Sequence, residues 1–264
     1  MSRISDTVSF EELGMDRRKV NGALTGARNN TMLRLIGNPR GSYDQDCRHP
    51  TNRRIAALMA TADLGPFRAT GLRPAVDALR RILADVAAEH PSTHAALSTA
   101  GMLCCRLVRG SASAISNHAW GTAIDLKLEG RLDARGDGRT QRGLLEIAPI
   151  FNRHGFFWGA AFPTEDAMHF EASEALVRQW ARDGAFGSAP TAGDFDQIAF
   201  GDRGPLVEAL QERLNLLLAA DLDVDGVFGR NTRAAVMEFQ RERALPVSGT
   251  VDEATRTALE RGDG

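Results

Sequence analysis

One stretch limits what this chain can fold into more than any other. The run Asp183-Gly184-Ala185-Phe186-Gly187-Ser188-Ala189-Pro190-Thr191-Ala192-Gly193 has neither a helical nor a strand pattern. Gly, Pro and small residues at this density mark a linker. A chain of 264 residues interrupted there is expected to form two unequal bodies, because single domains run to about 100–200 residues. We therefore expect a larger domain over 1–183 (with an N-terminal extension over 1–50), a linker over 184–197 and a small domain over 198–264. Hydrophobic residues make up 43% of the chain, enough for a core and against global disorder.

Hydrophobic spacing supplies the elements. Residues 1–50 are polar and broken by Gly and Pro, and read as short helices and loops. Val76, Leu79, Leu83 and Val86 recur at helical spacing, with Pro74 suited to the first turn and His90-Pro91 as the stop. The run Leu103 to Val108 reads as a buried strand, and Gly121 to Leu126 alternates like one. Gly130 to Gly143 is a charged excursion. A helix is expected over 144–154, strands over 156–159 and 168–171, and a helix over 172–182. Beyond the linker, Val207, Leu210, Leu214 and Leu217 mark one helix, Ala235, Val236 and Phe239 a second, and Ala254, Ala258 and Leu259 a third. The expected fold class is α+β with a small antiparallel sheet and flanking helices, followed by a small all-α three-helix domain.

Chemistry concentrates in two short motifs. Ser116-Asn-His118-Ala-Trp-Gly121-Thr-Ala123-Ile-Asp125 offers an imidazole and a carboxylate seven residues apart. If 121–126 is extended, Gly121, Ala123 and Asp125 share one face, and the two small residues leave room beside the carboxylate. Asp166-Ala-Met-His169-Phe-Glu171 offers a second imidazole, with Asp166 placed to act as a base toward a water. Nitrogen and oxygen donors in this combination suit Zn²⁺, and three protein ligands with an open position are the mark of a catalytic site. Trp120 and Trp158 are candidates to line a cleft or to fill the core. His49, His90, His94 and His154 fit no pattern.

The pattern S-x-H-x-x-G-x-A-x-D followed by D-x-x-H resembles the zinc D-Ala-D-Ala carboxypeptidase superfamily, which includes D-alanyl-D-alanine dipeptidases and phage L-alanyl-D-glutamate endopeptidases. The resemblance spans roughly residues 60–180. It implies His118, Asp125 and His169 as zinc ligands and Asp166 as general base, with the neighbouring Glu165 as the alternative one residue away. Glu171 would share a face with His169 and support it. The superfamily also places an Arg before the first motif to hold substrate charge, for which Arg106 and Arg109 are the candidates.

The C-terminal text resembles a three-helix peptidoglycan-binding domain: Gly201, Gly204, Leu210-Gln211, Asp225-Gly226, Phe228-Gly229, Thr232, Phe239-Gln240, Gly249, Asp252 and Thr255 carry it. Together the two resemblances imply a metallopeptidase that cuts the peptide part of bacterial cell wall, either an endopeptidase or a carboxypeptidase. A non-enzymatic wall-binding protein with a structural metal site is the rival.

Charge and composition narrow the partners. The net charge is −2, and between 201 and 260 eleven acidic residues face seven basic ones, a net of −4. Neither balance offers the basic face that nucleic acid requires. The sequence lacks the roughly 18 apolar residues in a row of a membrane helix, and its first twenty residues have no apolar signal-peptide segment. A monomer made in the cytoplasm is expected, reaching the wall through a phage holin or a secretion system. Three cysteines allow at most one disulfide, from Cys47 to Cys104 or Cys105.

Overall fold

The computed structural model of the protein describes residues 3–187 and 198–261. Most of the expected linker, from 188 to 197, lies outside the described residues. Two compact units emerge, the first made of 1–35, 58–104 and 117–187, the second of 36–57, 105–116 and 188–264.

The first unit is built on an antiparallel sheet. Its strands are β1 (Thr7–Ser9), β2 (Met59–Asp63), β3 (Arg68–Leu72), β4 (Leu97–Gly101), β5 (Ala123–Leu128), β6 (Arg131–Leu132), β7 (Arg139–Gln141), β8 (Phe156–Trp158) and β9 (His169–Ala172). The main sheet has the order β4-β5-β9-β8, with β6 pairing on β5, while β1-β7 and β2-β3 form two smaller ribbons. Helices α1 (Asn29–Leu35), α2 (Arg53–Ala57), α3 (Arg73–Glu89), α4 (Pro91–Ala96), α5 (Arg142–Arg153) and α6 (Glu174–Arg182) complete this part of the chain, with α2 in the second unit. No helix among the described residues is long and apolar enough to cross a membrane.

The sequence patterns explain these elements. On α3, Pro74 stands in the first turn and Val76, Leu79, Ile82, Leu83 and Val86 are all buried, the stripe that a core-facing helix needs. On α5, Leu144, Ile147, Ile150 and Phe151 do the same. The inner residues of the sheet meet them: Phe151 packs on Phe170 with ring centroids 4.2 Å apart, and Trp158 stacks on Phe170 at 6.0 Å. Trp120 and Trp158 are both fully buried and belong to this core rather than to a cleft. Trp158 Nε1 donates to the Ala167 carbonyl at 2.6 Å.

One expectation fails. The run 103–108 is not a strand; Cys105 and Leu107 make only isolated bridges, to Arg48 and Ile115. The strand beside β5 is instead Leu97-Ser98-Thr99-Ala100-Gly101, whose outer residues are half-buried or exposed. An edge strand with one wet face needs little apolar sequence, so local hydrophobicity pointed to the wrong segment. The β2-β3 hairpin is likewise absent from the hydrophobic pattern. Of the cysteines, Cys47 and Cys104 are disulfide-bonded, and Cys105 is a buried thiol outside any disulfide, whose pKa burial pushes up to about 12.

The second unit holds the helical module: α7 (Pro205–Leu218), α8 (Arg230–Glu242) and α9 (Glu253–Arg261). They close over Val207, Leu210, Leu214, Phe228, Ala235, Val236, Phe239, Val251 and Leu259. Two buried glutamines fasten the connecting turns in the same way. Gln211 Oε1 accepts from Gly226 N at 2.9 Å while its Nε2 donates to Thr232 Oγ1 at 3.1 Å. Gln240 Oε1 accepts from Gly249 N at 2.9 Å while its Nε2 donates to Thr255 Oγ1 at 2.9 Å. The module is therefore an internal repeat of helix, glutamine-fastened turn and capping segment. Asp252 caps α9, accepting from Thr255 N at 2.9 Å.

Gly121 joins the hairpin to the sheet. Its carbonyl accepts from Leu72 N at 2.9 Å, its φ is +62°, and a Cβ there would lie 2.7 Å from Gly71 Cα and 2.8 Å from Leu72 N. Backbone meets backbone, so no side chain can give way. Gly121→Ala is expected to destabilise the protein by about 1–3 kcal/mol through overpacking, with roughly 1–2 kcal/mol more from the left-handed backbone. Scanning calorimetry checks this, and an unchanged Tm would refute the contact.

Candidate metal centre

The antiparallel register of β5 on β9 places Asp125 opposite His169 and Ala123 opposite Glu171. Directly opposed residues share a face, so Asp125, His169, Ala123 and Glu171 look the same way while Ile124 and Phe170 point into the core. His118 reaches that face from the short 3₁₀ turn Asn117–Trp120 that precedes β5. His118 Nε2, Asp125 Oδ1 and His169 Nδ1 form a triangle with sides of 3.1, 3.0 and 3.2 Å. Among the described residues this is the group of His, Cys, Asp and Glu that could hold a metal ion.

The outer partners of the two histidines fix what those atoms are. His118 Nδ1 lies 3.1 Å from the Met102 carbonyl oxygen, which only accepts, so Nδ1 carries the proton and Nε2 presents a lone pair. His169 Nε2 donates to Glu171 Oε2 at 3.0 Å, so once the ring is neutral its Nδ1 presents a lone pair too. A carboxylate oxygen completes the triangle. Three acceptors packed this closely repel one another unless a proton or a metal ion sits among them, and two imidazoles with a carboxylate are a donor set that Zn²⁺ takes. Tetrahedral zinc with bonds of about 2.0–2.1 Å would set its ligand atoms roughly 3.3 Å apart, close to the observed triangle.

Titration expresses the same demand. Burial would lower the His169 pKa, but the carboxylates of Asp125 and Glu171 outweigh it and hold it up at about 10. Burial would raise Asp125, and the imidazoles of His118 and His169 more than reverse that, pulling its carboxyl well below the usual range.

The D-x-x-H spacing has a geometric cause. His169 N donates to the Asp166 carbonyl at 3.1 Å, a turn that brings the two side chains to one place. Asp166 Oδ1 is buried with no hydrogen-bond partner among the described residues, and burial raises its pKa, partly offset by His169 and Arg135. Glu165 does something else: it is 2% exposed, and its two oxygens accept from Ala167 N at 2.9 Å and Gly138 N at 3.1 Å. The adjacent carboxylates diverge, one to the backbone and one toward the triangle.

Several neighbours escaped the sequence reading. Phe162 packs on the His169 ring at 5.5 Å, and Arg17 fastens its segment by donating to the carbonyls of Ala160, Phe162 and Pro163. Gly26 lies over Glu171, where a Cβ would meet Oε1 at 2.5 Å. Arg135 Nε stands 3.6 Å from Asp166 Oδ2. The sequence candidates Arg106 and Arg109 donate to the carbonyls of Leu107 and Gln45, at 2.9 and 3.2 Å, and belong to the second unit.

Comparison with protein families agrees with the motifs. Residues 109–172 match the family described as D-alanyl-D-alanine carboxypeptidase, a span that contains His118, Asp125, Asp166 and His169. Residues 203–259 match the peptidoglycan-binding domain family. No curated protein and no solved structure matches the chain. The chain thus resembles the D-Ala-D-Ala carboxypeptidase superfamily and carries a peptidoglycan-binding domain at its C-terminal end, a combination that supports a cell-wall peptidase.

The proton that His169 holds without a metal must leave when one binds. Zinc affinity is therefore expected to rise with pH as that proton becomes easier to remove. Glu171→Gln, which replaces the carboxylate behind His169, is expected to weaken zinc binding by about 10–100-fold. Chelator competition at several pH values measures both. A pH-independent affinity, or wild-type affinity in Glu171→Gln, would contradict the site.

Proposed function

We propose that the protein is a zinc metallopeptidase that hydrolyses peptide bonds in the stem peptides or cross-links of peptidoglycan. The observation that carries this reading is the triangle of His118, Asp125 and His169 with a carboxylate, Asp166, beside it that has a buried, unpartnered oxygen. A structural metal site has no use for such a group, which weighs against a purely wall-binding protein.

His118, Asp125 and His169 would hold the ion, which when bound supplies the Lewis acidity that makes water easy to deprotonate near neutral pH. Asp166 takes the proton of the attacking water on its free Oδ1 and later passes it to the leaving amine. Its burial raises its pKa, which suits a group that must both accept and return a proton. Glu165 keeps the neighbouring backbone fixed, and Glu171 holds the His169 tautomer. A carboxypeptidase trimming terminal D-Ala is the second reading, favoured by the description of the matching family. An endolysin-like role, or delivery as an antibacterial effector, is the biological setting that the pairing with a wall-binding module suggests.

Asp166→Asn keeps size and removes the base. Zinc content and Tm are expected to stay near wild type while muropeptide release falls about 10²–10⁴-fold. Mass spectrometry of digested sacculi gives the rate and identifies the bond cut; full activity in Asp166→Asn would sink the mechanism. The same inactive variant reads wall binding without digestion. It is expected to co-sediment with insoluble sacculi, and recovery in the supernatant alone would remove the delivery role of the helical module.

A further inference from the structure

Arg135 has a setting that its sequence context hides. It lies on the loop between β6 and β7, and that loop is fastened to the site segment at several points. Gly136 N donates to the Glu165 carbonyl at 2.8 Å, and Gly138 N donates to Glu165 Oε2 at 3.1 Å. At the loop's base, Asp133 Oδ2 accepts from Gln141 N at 2.5 Å. An arginine on a free loop is normally just solvated. Here a buried carboxylate, one residue before Asp166, fixes the backbone that carries it.

Held this way, the guanidinium faces the site. Its Nε is 3.6 Å from Asp166 Oδ2, an ion pair beyond hydrogen-bonding distance. Among the described residues Arg135 makes no hydrogen bond, and 37% of its side chain is exposed. Its planar fork of N–H donors is therefore unused by the protein, beside Asp166. Such a fork matches a carboxylate in bidentate fashion. The group it faces is acidic: Asp166 would repel an anionic substrate group, and Arg135 is the cation paired with it.

We propose that Arg135 is a specificity-determining residue that grips a carboxylate of the substrate peptide beside the scissile bond. The proposal rests on the peptidase reading above. It gives the β6–β7 loop and the buried Glu165 a purpose: they hold the fork in place.

The test uses full-length, zinc-loaded wild type, Arg135→Ala and Arg135→Lys. Two synthetic stem peptides are compared, identical except that one has a free carboxylate beside the scissile bond and the other a carboxamide. Wild type is expected to prefer the carboxylate peptide by about 10–100-fold in kcat/KM, mostly through KM, the effect of a hydrogen bond to a charged group. In Arg135→Ala the ratio between the peptides collapses toward one. Arg135→Lys falls between, because a point charge lacks the fork. Zinc content and Tm establish that each variant is folded. No carboxylate preference in wild type, or the same ratio in Arg135→Ala, overturns the proposal. Calorimetric binding of both peptides is measured alongside. A carboxylate preference in binding that Arg135→Ala loses, with neither peptide cut, keeps the role of Arg135 and overturns the peptidase reading instead. Neither binding nor cleavage overturns both.

Discussion

The pairing of β5 with β9 sets Asp125 directly opposite His169, and the candidate site follows from that register. A slip of one residue in β9 would turn His169 into the core and bring Phe170 out. The register is locked from behind, where Phe170 packs between Phe151 and Trp158 and where α5 packs on β8. Hydrophobic burial on one face therefore fixes polar geometry on the other.

On the polar face, charge arrangement does the selecting. Each histidine has its outer nitrogen tied to an acceptor, the Met102 carbonyl or the Glu171 carboxylate, so that with both rings neutral the inner nitrogens and Asp125 converge as lone pairs. Such a cluster is stable around a cation and poorly stable without one. The two neighbouring carboxylates, Glu165 and Asp166, show how one residue of sequence separates structure from chemistry. Glu165 is consumed by backbone amides, and Asp166 is left with an unpartnered oxygen.

The helical module solves a different problem with repetition. Gln211 and Gln240 each bind the glycine amide of a turn and the threonine that follows it six residues later, Gly226 with Thr232 and Gly249 with Thr255. Buried amides that are fully bonded specify one turn conformation, and a module with so small a core gains from that. The repeat was visible in the sequence as two glutamine-to-glycine-to-threonine patterns, but the unequal spacing from glutamine to glycine obscured it.

The sequence alone determined the candidate metal-ligand motifs, the helices whose stripes are long and apolar, and the presence of a second, helical module. These are local properties: side-chain type, spacing and period. His118, Asp125 and His169 were readable because a turn followed by an alternating strand puts such residues on one face. The edge strand 97–101, the β2-β3 hairpin and the place of Trp120 and Trp158 in the core were decided by tertiary packing, since an element's partners determine which of its faces is wet. Arg135 was lost for the same reason. In the sequence it is one arginine in a charged, glycine-rich loop, and only the hydrogen bonds of Glu165 to that loop's backbone bring it beside Asp166.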